Sequence, residues 1–395
     1  SYAQLGINQL GAVYEALLSY RGFFAETDLY EVKPAKDNNH DVLNNAYFVK
    51  ETDLPRYKEA EKVRNEDGTL VKHPKGAFIY RLAGRDREKS ASYYTPEVLT
   101  KTLVKYALKE LLKDRTADDI LKLTVCEPAM GSAAFLNEAV NQLAEEYLRK
   151  KQQELGQSVS HDDYKKELQR VKMFIADRNV FGVDLNPVAT ELAEVSIWLN
   201  TIYKGAHVPW FGLQLRDGNS LVGARRSVYL SSRLKSSKEF YQDTPPKRIK
   251  PKEKREQNTV YHFLLPDPNM ANYKDKVVKE MEEENLGRIK NWQKSQKKPF
   301  SKRDIIQLEQ LSTEIDRFWK LHADTLTRIR EETEDTHTLF GMDRSEMETL
   351  RNLSTAEKDE VQKKHLLTEE RDPSPYRRLK LAMDYWCALW FWPID

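Results

Sequence analysis

Between residues 98 and 112, apolar side chains fall at Val98, Leu99, Leu103, Val104, Ala107, Leu108, Leu111 and Leu112. That spacing of three and four predicts an amphipathic helix, and Pro96 suits its first turn. Beyond it the pattern alternates between short apolar runs at 121–126, 180–183 and 211–215 and helical patterns from about Ser132 and Pro187. Strand, helix, strand, helix, strand predicts a parallel sheet with crossover helices. The very charged stretch 149–172 reads as an additional surface helix.

The flanks carry other patterns. Leu5, Leu10, Val13, Leu17 and Leu18 lie near a helical period, so residues 1 to about 25 read as a helix on the main body. Tyr47, Phe48 and Val49 form one strand-like run, and Phe78, Ile79, Tyr80 and Leu82 another. Glu66, Asp67 and Gly68 supply a turn between them, so a β-hairpin is expected. Residues 244–257, TPPKRIKPKEKREQ, hold three prolines and six basic residues and read as a linker or exposed loop. Two long polar helical patterns follow at about 274–295 and 304–334, an expected αα-hairpin. On the second, Leu308, Leu311, Ile315, Phe318, His322, Leu326 and Ile329 make an apolar stripe, within which His322 reads as a packed interface residue. The terminal aromatic stretch MDYWCALWFWPID reads as a buried helix.

Composition narrows the class. At 395 residues the chain has room for two or three structural units. Lys plus Arg (64) nearly balances Asp plus Glu (62), so any nucleic-acid patch must be local. Two cysteines without metal-ligand spacing exclude a disulfide framework and point to a reducing, cytoplasmic setting. No zinc site is legible, and no apolar run approaches the roughly 18 residues of a membrane span. The chain starts at Ser1 rather than a methionine and ends in ALWFWPID, which suggests a piece of a longer polypeptide.

Candidate chemistry sits where apolar runs end in acids. In VCEPAMGSAAFL, a strand ending at Glu127 turns through Pro128, Ala129, Met130 and Gly131 into a helix beginning near Ser132, with Phe135 and Leu136 opening its buried face. Such a turn puts free helix N–H groups beside a crevice that suits an adenine-bearing cofactor; an ordinary tight turn in an α/β core is the alternative. In VFGVDLNP the acid is Asp184, followed by Leu185, and a carboxylate there can accept both hydroxyls of a ribose or simply favour a helix N-terminus. In LRDGNSLVG the acid is Asp217 before Gly218, placed to accept the amino hydrogens of an adenine, or merely part of a turn. In SASYYTPEVL, Tyr93 and Tyr94 are flat surfaces and Thr95 and Pro96 start a helix, or two core tyrosines precede a helix cap.

The ordered set SYYTP, EPAMGSAAFL, GVDLNP and DGNSLVG resembles the S-adenosylmethionine-binding half of N6-adenine DNA methyltransferases. The likeness is to the large enzymes of type IIG restriction-modification and of phage-defence systems such as DISARM and BREX. It covers roughly residues 1–225, since LGAVYEALLSY and the segment before YYTP also resemble the helical N-terminal part of such enzymes. It implies a doubly wound, Rossmann-like α/β core, with Tyr94, Thr95 and Pro96 bordering the methionine end of the cofactor. Glu127, Ala129 and Gly131 would form the loop beneath it, with Ser132 at its end, while Asp184 holds the ribose and Asp217 the adenine. Two residues depart from the family: Glu127 replaces the usual aspartate, and Ala133 stands where glycine is common. Alanine adds a Cβ to a crowded turn, and a positive φ there is costly.

The family's catalytic tetrapeptide, an Asn, Asp or Ser followed by two prolines and an aromatic, is absent. LPDPNMANY, with Asp267, Pro268, Asn269 and Met270, is the nearest approach and lacks the second proline and the aromatic. The expected organisation is a helical and β-hairpin region at 1–90, a cofactor-binding core at 91–230 and a basic linker at 231–273. A helical hairpin follows at 274–335, and 336–395 leads toward a missing catalytic part. The expected function is an adenine-N6 DNA methyltransferase fragment without catalytic residues, using S-adenosylmethionine, with duplex DNA and defence or restriction subunits as partners and no membrane. A methyltransferase of RNA or protein, or a non-catalytic cofactor-binding or scaffolding module, are the alternatives. The basic residues of 247–255 are open to two readings, contact with DNA phosphates or a solvated loop.

Overall fold

The computed structural model describes residues 20–35, 45–83, 95–235, 243–250, 252–267, 269–273, 279, 282–296, 298–342, 352–366 and 374–391. The chain forms two compact units, Ser1–Gly218 with His337–Ser345, and Asn219–Thr336 with Glu346–Asp395. The expected helix over residues 5–18 lies outside the described residues.

The first unit begins with a five-stranded sheet of β1 (Tyr20–Phe24), β2 (Leu29–Val32), β3 (Asn45–Lys50), β4 (Lys72–His73) and β5 (Phe78–Ala83), in the order β1-β5-β3-β2-β4. Residues 20–24, read from periodicity as the end of a helix, are instead strand β1, paired antiparallel with β5. Its aromatic residues favour a pleated surface, and Gly22 leaves room for the ring of Phe78, which a Cβ would meet at 2.6 Å. The two runs expected to form a hairpin pair parallel instead, Asn45 opposite Leu82, because β1 and β2 occupy their antiparallel edges.

Next come α1 (Glu97–Leu112), the short α2 (Ala117–Ile120), β6 (Val125–Glu127), α3 (Ala134–Leu155), α4 (His161–Arg178), β7 (Val180–Asp184), α5 (Pro187–Thr201) and β8 (Leu215–Asp217). Strands β6, β7 and β8 lie side by side and parallel, as the alternation predicts. Helix α3 buries Leu136, Ala139, Val140, Leu143, Ala144, Tyr147 and Leu148, and packs on α1, α2, α4 and α5. The charged stretch read as a surface helix is split between the end of α3 and α4. Helix α4 is a core helix, burying Val171, Met173, Phe174 and Ile175. Val180 and Leu215 are buried and Gly182 faces Leu136 of α3, whereas Cys126 on the opposite face is exposed. The strand order runs in one direction, so these strands show a parallel α/β sheet with helices packed on one face; a doubly wound sheet would add a reversal of order.

In the second unit, β9 (Ser227–Leu230) is the centre of an antiparallel sheet between β10 (Lys247–Arg248) and β11 (Thr259–Tyr261). Strands β10 and β11 thus lie inside the stretch read as a basic linker. Helices α6 (Glu283–Ser295), α7 (Lys302–Thr333), α8 (Thr355–Leu366) and α9 (Pro375–Ala388) follow. Helix α7 packs on β11, α8 and α9, and of its stripe Ile315 joins Val228, Tyr261, Phe263 and Leu379 in one core cluster while Leu311 is exposed. His322 is packed beside the Tyr376 ring, and burial holds its imidazole below the ordinary pKa. The aromatic end is less buried than expected, with Tyr385 and Phe391 exposed. Among the described residues no helix is long and apolar enough to cross a membrane.

Candidate functional site at the strand ends

Three strands end in acids, and strand register decides whether those acids share a face. Glu127 lies opposite Gly182, which is two residues before Asp184, and Asp184 lies opposite Asp217. Side chains alternate with a period of two along a strand, so Glu127, Asp184 and Asp217 all point to the face that carries α3. They stand at the carboxyl ends of adjacent parallel strands, the edge where open α/β sheets take ligands.

The loop from β6 to α3 is anchored over the tip of β7. The Met130 N–H donates to Val183 O at 3.1 Å, and the Gly131 N–H donates to Asp184 Oδ2 at 2.8 Å. The Met130 side chain is buried against Gly182, where a Cβ would stand 2.2 Å from its sulfur. Gly131 has φ 53 with open space around it, so its glycine serves the backbone conformation. Ala133 adopts φ 66 and ψ 33, so the cost foreseen for a non-glycine residue there is present in the fold. Ser132 is buried at 2% exposure, and its Oγ has no hydrogen-bond partner among the described residues.

Asp184 ties the two loops together. Its Oδ1 accepts the Asn186 N–H at 2.9 Å while Oδ2 takes Gly131. Asn186 in turn caps α5, its Oδ1 accepting the Val188 N–H at 3.1 Å, and Pro187 occupies the first turn. The Asp184 carbonyl accepts the Gly218 N–H at 2.7 Å, which fixes the turn after β8. A carboxylate has about four acceptor positions, so two remain open on Asp184. Asp217 is exposed. Glu127 is half-buried, and that burial pushes its carboxyl above the ordinary range, partly offset by the Ala129 N–H.

The other candidates are dispersed around this edge. Phe135 is partly buried against the core in the first turn of α3, and Leu185 is 52% exposed beside Asp184. Thr95 is half-buried and Pro96 exposed where they open α1, which packs along α3. Pro128 and Ala129 belong to the anchored loop, whereas Tyr93 and Tyr94 lie outside the described residues. Sequence reasoning missed Gly182, Met130 and Asn186 as parts of the site. A glycine inside a strand and an Asn-Pro pair at a helix start were the available signals. In the second unit, Asp267 accepts the Asn269 N–H at 2.9 Å, so this nearest approach to a catalytic tetrapeptide serves as its own turn.

The fold and strand-end geometry define an α/β domain with a ligand-type edge. Residues 77–212 match the family described as N-6 DNA methylase. The chain is also 26% identical over 192 residues to a protein of Methanocaldococcus jannaschii whose name describes a type II restriction enzyme and methyltransferase. That alignment covers 37% of this chain and 16% of the relative, so the chain spans a minor part of the relative's length. Together the two likenesses bear out the resemblance to N6-adenine DNA methyltransferases of the restriction-modification kind. The family match takes in Glu127 and Asp184 and ends before Asp217.

Proposed function

We propose that this chain is the cofactor-binding part of an S-adenosylmethionine-dependent DNA methyltransferase that modifies adenine N6 in a restriction-modification or phage-defence system. Its core is the first part of a doubly wound, Rossmann-like sheet, and it works in the cytoplasm with duplex DNA and subunits of such a system as partners. The observation that carries the reading is the shared face of Glu127, Asp184 and Asp217 beside a loop of small residues. The donor set suits the cofactor: two open acceptor positions on Asp184, the exposed Asp217 carboxylate, space above Gly131 and the unpartnered Ser132 Oγ.

When bound, S-adenosylmethionine supplies an electrophilic methyl on its sulfonium for direct attack by the adenine amine. The residues of this chain bind and orient. Asp184 accepts from the two ribose hydroxyls while its bond to Gly131 keeps the loop closed. Asp217 accepts from the amino group of the cofactor's adenine. Thr95 and Pro96, with Tyr93 and Tyr94, border the methionine end, and Leu185 and Phe135 supply apolar contact. Alignment of this kind removes much of the entropic barrier to transfer. The residue that would hold the target amine belongs to a tetrapeptide these 395 residues lack, so they are expected to show no methyl transfer on their own.

Calorimetry with S-adenosylmethionine tests the assignment. Removing hydrogen bonds to a charged acceptor costs about 1.5–3 kcal/mol, so Asp217→Ala should bind roughly 10- to 150-fold more weakly than the wild type. Asp184→Ala should lose more, because the loop clamp goes with the acceptor. Equal affinity for all three proteins would remove the site from this edge.

A further inference from the structure

The basic stretch of the second unit divides into cations that hold the fold and cations that do not. Arg255 is committed to the fold: its Nε donates to Asp316 Oδ2 at 2.7 Å, and its guanidinium also reaches Thr259 O at 2.6 Å and Thr313 Oγ1 at 3.1 Å. Lys247 is paired with Glu256. Between these two, Arg248, Lys250, Lys252 and Lys254 are exposed, and their side chains make no ion pair among the described residues. They stand at every second position.

The stretch 244–257 carries two acids, Glu253 and Glu256, against its six cations. The Glu253 carboxylate accepts the Lys250 N–H at 3.0 Å, and Glu256 is taken by Lys247. The backbone that carries the cations is well held. Strand β10 pairs with β9, the Ile249 N–H donates to Arg226 O at 2.9 Å, and Ile249 is buried with Val228, Tyr261 and Phe263. Arg226 Nη2, from the residue before β9, donates to Glu253 O at 3.0 Å and ties the loop after β10 to the neighbouring strand. The result is a local excess of positive charge on a fixed support, in a chain whose total charge is only +2. Polyanionic phosphate is its complement.

We infer that Arg248, Lys250, Lys252 and Lys254 form a surface that contacts the phosphate backbone of duplex DNA. The identity of the polyanion rests on the DNA methyltransferase reading; the surface itself does not. Its contribution is to affinity and orientation rather than to sequence choice, since phosphate contacts carry no base information.

The test uses the whole 395-residue chain and a short labelled duplex, with affinity followed by anisotropy across about 50 to 200 mM salt. Each lost phosphate contact lowers the slope of log K against log salt by about 0.9, so the combined Arg248→Gln, Lys250→Gln, Lys252→Gln, Lys254→Gln protein should lose about 3 to 4 units of slope. Lys105, Lys109 and Lys113 serve as the control. They are exposed lysines on or just after α1, beside a groove of about 950 Å³ that also holds Glu138, Glu145 and Glu146. Changing those three lysines to Gln should leave the slope nearly intact. An equal loss in both proteins, an unchanged slope in the first, no duplex binding by the wild type, or tighter binding of a length-matched RNA duplex would each overturn the inference. Calorimetry with S-adenosylmethionine on the same proteins separates this failure from failure of the methyltransferase reading, because the four Gln substitutions should leave that affinity unchanged.

Discussion

Gly182→Ala tests the link between strand packing and the cofactor loop. The new methyl would lie 2.2 Å from Met130 Sδ and 3.2 Å from both Leu136 Cδ1 and Leu215 Cδ2. Ordinary contact begins near 3.5 Å, so the sulfur must retreat by roughly 1.3 Å. Met130 is only 3% exposed and Leu136 fully buried, so no open space receives it. Overpacking of this kind costs about 1–3 kcal/mol, which lowers the urea midpoint by roughly 0.5 to 1.5 M for a slope near 2 kcal/mol per M. The strain also reaches the site, because the Met130 and Gly131 N–H groups anchor the loop to Val183 and Asp184. Affinity for S-adenosylmethionine should therefore fall together with stability. Shortening the obstructing side chain with Met130→Ala in the same protein should recover part of the loss, giving a coupling energy of about 1 kcal/mol or more in a double-mutant cycle. A Gly182→Ala protein with the wild-type midpoint and affinity, or a cycle with no coupling, would refute the argument.

Two other substitutions probe the same loop. Ala133→Gly removes about 1–2 kcal/mol of left-handed strain but also a buried methyl worth about 0.8 kcal/mol and some chain entropy, so its melting stability should stay within about 1 kcal/mol of the wild type. Ala133→Val, with a branched Cβ at φ 66 in a fully buried position, should be clearly destabilised; the reverse order of the two would be incompatible with this geometry. Glu127 has a carboxyl raised by burial, so the protonated form favours the folded state, fully below the unfolded value near 4.5, and that contribution is lost as pH rises through the raised value. Thermal melts of wild type and Glu127→Gln should diverge across that window, with the Gln protein the more stable above it. A gap that narrows with rising pH would contradict the assigned cause.

Local patterns made much of this protein legible. Helices α1, α5 and α7 are visible in the chain because spacing, caps and first-turn prolines act within four residues: Asn186 before Pro187, and Ser301 exchanging hydrogen bonds with Asp304. The three acids were legible for the same reason, each following a short apolar run. The convergence of Glu127, Asp184 and Asp217 on one face depends on parallel register between strands about 30 to 60 residues apart, and no local rule sets that register. The tertiary fold also seats Met130 over Gly182, turns residues 20–24 from helix to strand by pairing them with β5, and draws Arg255 out of an exposed basic run to meet Asp316 on α7. Each of these depends on a partner distant in sequence, and the free energy of such a contact exists only once the chain has closed the loop between the two.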